Sequence, residues 1–223
     1  MFQSPKRLQG TWLESEINPT MLLCDIGNTS FHFYDLKTDY KERVESFDPL
    51  SIKEDVYYIC VHPTVKERLK ELSNWYDIEE RVDKSSYYAT MGIDRIMACK
   101  AVSNAVVVDA GSAITVDVVK EGVFQGGFIY PGIKAFERAY ASISTVLDRK
   151  LNPQTDLSRL PKNTTDALSY GFLSGLVKEI NSHNLDIILT GGDAAIFQRH
   201  IPNAKMDRLL VFRGMLSVIG EMS

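Results

Sequence analysis

Cysteine is scarce in this chain: only Cys24, Cys60 and Cys99 occur, far apart and without a Cys-x-x-Cys pair. An odd, scattered set excludes a disulfide framework and a zinc site. Cys24 and Cys60 also sit inside apolar runs, as reduced, buried thiols of a cytoplasmic protein do. The four histidines, His32, His62, His183 and His200, show no ligand spacing. No run approaches the roughly 18 apolar residues of a membrane span, so no membrane partner is expected. The first twenty residues lack an apolar signal core, so secretion is not indicated. Positive charge is thin as well. The basic clusters Lys6-Arg7 and Lys66-Glu67-Arg68 are short or interrupted, and the net charge is −4, which argues against nucleic acid. Neither a G-x-x-x-x-G-K-[ST] loop nor a G-x-G-x-x-G after the first strand is present.

What the chain does have is the balance of an ordinary globular protein, 44% hydrophobic and 24% charged. Its 223 residues suffice for one large domain or two small ones. Residues 1–20 read as an appended segment of no assigned role, in which Trp12, Leu13 and Ile17 could dock. The apolar run from Met21 to Cys24 enters Asp25-Ile26-Gly27-Asn28-Thr29, and Phe31, Phe33 and Leu36 continue beyond it: strand, tight turn, strand. A strand over Val56–Val61 precedes Pro63 and a helix with Val65, Leu69 and Leu72 on one face. Gly92-Ile93-Asp94-Arg95 opens another helix. Ala105–Val108 is a fully apolar strand ending in Asp109-Ala110-Gly111-Ser112, with strands to follow over 113–119 and Val123–Tyr130. Phe136, Tyr140, Ile143 and Leu147 share a helical face. Asn152–Lys162 is a polar connector, Thr164 starts a helix apolar nearly all round, and Ile187–Leu189 is a buried strand ending in Thr190-Gly191-Gly192-Asp193.

The openings Leu22–Thr29 and Val106–Ala113 share hydrophobic-x-hydrophobic-Asp-apolar-Gly-polar, a sign of an internally duplicated α/β fold. Three glycine-containing turns thus follow apolar strands. Such turns often do no more than close hairpins. They also let backbone N–H groups approach an anion, and aspartates beside them suit Mg²⁺, which prefers carboxylate and phosphate oxygen. A nucleotide phosphate cradled between two lobes combines these features. Asp94 differs, because it begins a helix whose dipole and free N–H groups favour its ionised form. It can serve as a simple cap, or it can accept a hydroxyl proton during phosphoryl transfer. Arg95 beside it could hold a carboxylate or phosphate.

Taken together, Asp25–Thr29, Gly92–Arg95, Asp109–Thr115, Gly126-Gly127-x-Ile129-x-Pro131-Gly132 and Thr190–Asp193 resemble, in order and spacing, the type III pantothenate kinases. These belong to the superfamily of acetate and sugar kinases, heat-shock chaperone ATPases and actin. The resemblance runs from about Met21 to the C-terminus. It implies two ribonuclease-H-like lobes, 21–104 and 105–223, with ATP in an interlobe cleft, and a homodimer. It implies that Asp25, Ile26, Gly27, Asn28, Thr29, Ser30, Phe31 and His32 form the first phosphate-binding hairpin, with Ser112 an ATP contact on the second. Asp94 would take the proton from the primary hydroxyl of pantothenate, and Tyr88, Gly92, Ile93, Arg95 and Thr164 would contact that substrate, with adjacent Tyr87 competing for the place of Tyr88. Asp109 would hold K⁺ or NH₄⁺, beside ATP with Mg²⁺. Many members carry Lys or Arg where His32 stands. The rival readings are a same-fold kinase for another small hydroxyl compound, and a non-catalytic relative of the Bvg accessory factor type acting on transcription. Gly-Ile-Asp-Arg favours pantothenate, and retention of all three aspartates favours catalysis.

Overall fold

The computed structural model describes residues 21–220, which divide into two compact units: 21–97 with 211–220, and 98–210. Residues 1–20 lie outside the described residues, and with them the docking of Trp12, Leu13 and Ile17.

The first unit is built on β1 (Leu22–Ile26), β2 (Ser30–Tyr34), β3 (Asp39–Arg43), β4 (Val56–Cys60) and β5 (Trp75–Asp77), in the order β3-β2-β1-β4-β5. β1 runs antiparallel to β2 and parallel to β4, while β2–β3 is antiparallel and β4–β5 parallel. Side-chain alternation puts Leu22, Cys24, Ile26, Phe31 and Phe33 into a core with Val56, Tyr58 and Trp75. Phe31 packs on Phe33 and Phe47 at centroid distances of 6.1 and 4.8 Å. Helix α1 (Pro63–Leu69) starts on a proline, with the His62 ring as cap, and buries Val65 and Leu69. Helix α2 (Ile93–Lys100) follows β5.

The second unit repeats this plan. Its strands are β6 (Ala105–Ala110), β7 (Ala113–Lys120), β8 (Val123–Pro131), β9 (Asp186–Thr190) and β10 (Lys205–Met206), in the order β10-β9-β6-β7-β8. β6 pairs antiparallel with β7 and parallel with β9, β7–β8 is antiparallel, and β9–β10 is parallel. Strand for strand this matches the first sheet, so the duplicated α/β reading holds. Helices α3 (Ile133–Ile143), α4 (Thr164–Ser182) and α5 (Ala194–His200) complete the unit. Phe172, Leu173, Leu176, Val177 and Ile180 of α4 are buried with Val106, Val108, Ile114, Leu189 and Phe197. The large apolar side chains of α4 are used in the unit's own core, and its exposed face carries Gly171, Gly175 and Lys178. Helix α6 (Leu210–Gly220) ends the described chain, and its Gly214 permits close approach to the Met97 backbone.

Candidate functional site

Each candidate carboxylate is placed by a strand end or a helix start. Asp25 is the fourth residue of β1, in register with His32 on β2 and Ile59 on β4. The turn closes through Gly27 N–H donating to the Ser30 carbonyl at 3.0 Å, and leaves Asn28 and Thr29 exposed. Ile26 and Phe31 are buried core side chains, so in any phosphate contact they supply backbone only. His32 is buried too. Its Nε2 lies 3.0 Å from Asp39 on β3, and its ring meets Phe212 of α6 edge-on at 4.8 Å. Asp39 was not foreseen, because β3 is a polar, exposed edge strand with no apolar signal.

The end of β4 connects this hairpin to the Gly-Ile-Asp-Arg segment. Val61 N–H donates to the Ile26 carbonyl at 3.0 Å, and the Val61 side chain lies at 4.0 Å from where a Cβ on Gly92 would stand. That same Cβ would come within 2.5 Å of Asp94 Oδ1. Glycine is therefore required here because the Asp94 carboxylate folds back over residue 92. Its Oδ1 accepts the Arg95 N–H at 2.8 Å. Burial pushes the Asp94 carboxyl above its ordinary range, and the Arg95 N–H and charge pull the other way without prevailing. The net direction is opposite to the one expected from the helix terminus alone, since sequence discloses the dipole but not the desolvation.

Arg95 is buried, with its guanidinium bonded to the Tyr88 hydroxyl and 5.7 Å from the ring centroid. The tyrosine whose hydroxyl meets Arg95 is Tyr88, which is itself exposed. Beside Gly92 and Ile93, a cavity of about 870 Å³ opens between Val61, Lys66, Glu79 and Met91. Lys66 bridges Asp77 at 3.0 Å and Glu79 at 2.5 Å on its rim.

In the second unit Asp109, on β6, is in register with Thr190 of β9 and Thr115 of β7. Gly191 has φ +89°, and a Cβ there would collide with Asp109 Oδ1 and lie 2.5 Å from the Ala110 carbonyl. Asp193 N–H donates to that carbonyl at 2.9 Å. Gly132 likewise lies so close to the turn that a Cβ would strike the Ser112 carbonyl and come within 2.6 Å of the Gly111 carbonyl. The motifs ending β6, β8 and β9 thus converge at one place, with Ser112 exposed. Thr164 is exposed at the first turn of α4, beside a separate hydrogen-bonded cluster centred on Asp166.

Among the described residues, no group of three or more His, Cys, Asp or Glu side chains could hold a metal, and no helix is long and apolar enough to cross a membrane. Mg²⁺ commonly takes only one or two carboxylates, its remaining sites filled by phosphate and water. The half-buried Asp25 beside an exposed glycine turn fits that donor set. Asp109 Oδ1 and the Ala110 carbonyl, both facing the Gly191 Cα, offer oxygens to a cation.

A family model described as type III pantothenate kinase matches residues 45–184. A type III pantothenate kinase of Sulfurimonas denitrificans is 54% identical over 199 residues, covering 89% of this chain and 97% of the relative. That of Helicobacter hepaticus is 41% identical, covering 89% and 98%. A crystal structure from Campylobacter jejuni, provisionally named a conserved Baf family transcriptional activator, is 38% identical with a TM-score of 0.81, covering 90% of this chain and 98% of that one. A protein of Sinorhizobium meliloti, provisionally named a 2-dehydro-3-deoxygalactonokinase, shares the fold at TM-score 0.51 and 9% identity, covering 91% and 99%.

Proposed function

This chain belongs to the type III pantothenate kinases, and from that premise we propose that Asp94 is its proton acceptor and the Asp25–His32 hairpin its first ATP-phosphate contact. The chain is a kinase that phosphorylates pantothenate, the first step toward coenzyme A, with ATP and a divalent cation. The pantothenate hydroxyl oxygen bonds to the γ-phosphorus, the bond to the β-phosphate bridging oxygen breaks to release ADP, and the hydroxyl proton passes to Asp94.

The observation that carries this reading is the Asp94 carboxylate seated over Gly92. A raised carboxyl is a better match for an alcohol proton than an ordinary one, and a fixed position matters more in phosphoryl transfer than basicity. Arg95 supports it: a planar guanidinium suits a carboxylate or phosphate, and the bond to Tyr88 fixes its plane beside Asp94. On the ATP side, the turn amides of Gly27, Asn28 and Thr29 and the exposed Ser112 are the proposed phosphate contacts. Asp25 would hold the divalent cation that neutralises phosphate charge. Asp109 with the Ala110 carbonyl would hold a monovalent cation, K⁺ or NH₄⁺. Pantothenate would also meet Tyr88, Gly92, Ile93 and Thr164.

We also propose a homodimer, for which the exposed Ile129, Ile143, Val146 and Leu160 of the second unit provide apolar surface; a one-chain mass at micromolar concentration would remove it. Cys24, Cys60 and Cys99 are buried and in no disulfide, which accords with a cytoplasmic enzyme. A transcriptional role is named for the Campylobacter structure. One assay separates these readings: ATP-coupled turnover with pantothenate against other small hydroxyl compounds, with and without K⁺. Preference for pantothenate and activation by K⁺ are expected. Absence of pantothenate-dependent ADP release would leave the accessory role in its place.

A further inference from the structure

The sixteen-residue connector 148–163 contains no helix or strand. A loop longer than about 12–15 residues inside a compact domain commonly serves function, and this one is gripped by three helices. From α3, Glu137 accepts the Leu151 N–H at 2.9 Å and pairs with Lys150 at 2.8 Å. From α5, His200 Nε2 lies 3.1 Å from the Pro153 carbonyl, and Arg199 donates to Gln154. From α4, Ser169 Oγ accepts the Asn152 N–H and donates to the Thr165 carbonyl, both at 2.8 Å.

The densest part of this grip is one carboxylate. Asp166 Oδ1 accepts Asn152 Nδ2 at 2.7 Å and Thr155 Oγ1 at 3.1 Å, and Oδ2 accepts Asn163 Nδ2 at 2.6 Å. Its own N–H donates to Asn163 Oδ1 at 2.9 Å, a reciprocal cap on the helix start. Asn152 and Thr155 lie in the first half of the connector and Asn163 is its last residue. A single side chain therefore closes the loop on itself, and the next residue is the exposed Thr164. The three donors hold the Asp166 carboxyl below its usual range, so it is ionised at neutral pH and acts only as an acceptor.

We propose that Asp166 is a positioning residue for pantothenate: by clamping Asn152, Thr155 and Asn163 it fixes the backbone from which Thr164 reaches the substrate. This rests on the reading that Thr164 contacts pantothenate. An amide in place of the carboxylate must turn its NH₂ toward at least one of these donors, so Asp166→Asn breaks the clamp in part and Asp166→Ala entirely.

The test is steady-state kinetics on the full chain. Asp166→Ala should raise the KM for pantothenate about tenfold, with Asp166→Asn intermediate and the KM for ATP within about twofold of wild type. Thr164→Ala should raise the pantothenate KM alone, and adding Asp166→Ala to it should raise it little further, because the two act on one contact. Equal rises in both KM values, a fall in kcat alone, or full additivity in the double variant would overturn the inference. If Thr164→Ala leaves the pantothenate KM unchanged, the reading of Thr164 fails first. If Thr164→Ala raises it and Asp166→Ala does not, only the clamp fails. Should Asp166→Ala not fold, the same ratio of KM values read on Asp166→Asn decides.

Discussion

Gly92→Ala separates activity from stability. The added Cβ would stand 2.5 Å from Asp94 Oδ1, nearer than non-bonded atoms tolerate. The carboxylate is the movable partner, so it swings away and gives up its 2.8 Å bond from the Arg95 N–H. A displaced rotamer costs about 1 kcal/mol, and a hydrogen bond to a charged group is worth about 1.5–3 kcal/mol. A loss of about 2 kcal/mol in holding the proton acceptor corresponds to roughly thirtyfold in kcat. The folded state is affected differently. Gly92 does not need a left-handed backbone, so alanine restricts the unfolded chain and stabilises by about 0.4–1 kcal/mol, offsetting part of that loss. The expected variant therefore melts within a few degrees of wild type and turns over about thirtyfold more slowly, read by coupled ADP release and thermal denaturation. A Gly92→Ala enzyme with kcat within twofold of wild type would refute the argument that this glycine exists to seat Asp94.

Three further outcomes follow from the same geometry. Folding favours the protonated form of the buried Asp94, so wild type loses stability as pH rises from the unfolded carboxylate value near 3.9 through the raised folded value. Asp94→Asn should melt higher than wild type at neutral pH and converge with it toward about pH 3; equal melting temperatures across that range would contradict the burial argument. Gly191→Ala places a side chain at φ +89° against Asp109 and the Ala110 carbonyl, and should lower unfolding free energy by about 2 kcal/mol or more in denaturant titration. Asp109→Ala should abolish activation by K⁺ or NH₄⁺ while leaving a basal rate, and a wild-type rate indifferent to K⁺, Na⁺ and NH₄⁺ would remove that role.

The large features of the fold were legible because they are written in apolar periodicity. The two hairpins at Asp25 and Asp109 begin matching sheets with the same strand order. Strand β3 escaped because Asp39–Arg43 is polar and exposed, and what holds it is its contact with β2, such as Phe33 with Tyr40 and Asp39 with His32. β5 and β10, at three and two residues, are too short to show a period. Along α4, apolar content alone could not say which residues face the core. Burial assigns Phe172, Leu173 and Leu176 to it and leaves the glycines outside. At the proposed site, motif order nominated the residues, but their surroundings depend on distant partners: Asp39 on His32, desolvation on Asp94, and the space that Gly92 and Gly191 leave open.

The most direct measurement is ADP and 4'-phosphopantothenate formation by the purified chain with ATP, Mg²⁺, K⁺ and pantothenate, alongside Asp94→Asn with its ATP affinity measured separately. The account predicts one phosphopantothenate per ADP in wild type. In Asp94→Asn it predicts loss of turnover, with ATP bound within several-fold of wild-type affinity. Wild-type turnover by Asp94→Asn would contradict the assignment of the proton acceptor, and no pantothenate-dependent product from wild type would contradict the account itself.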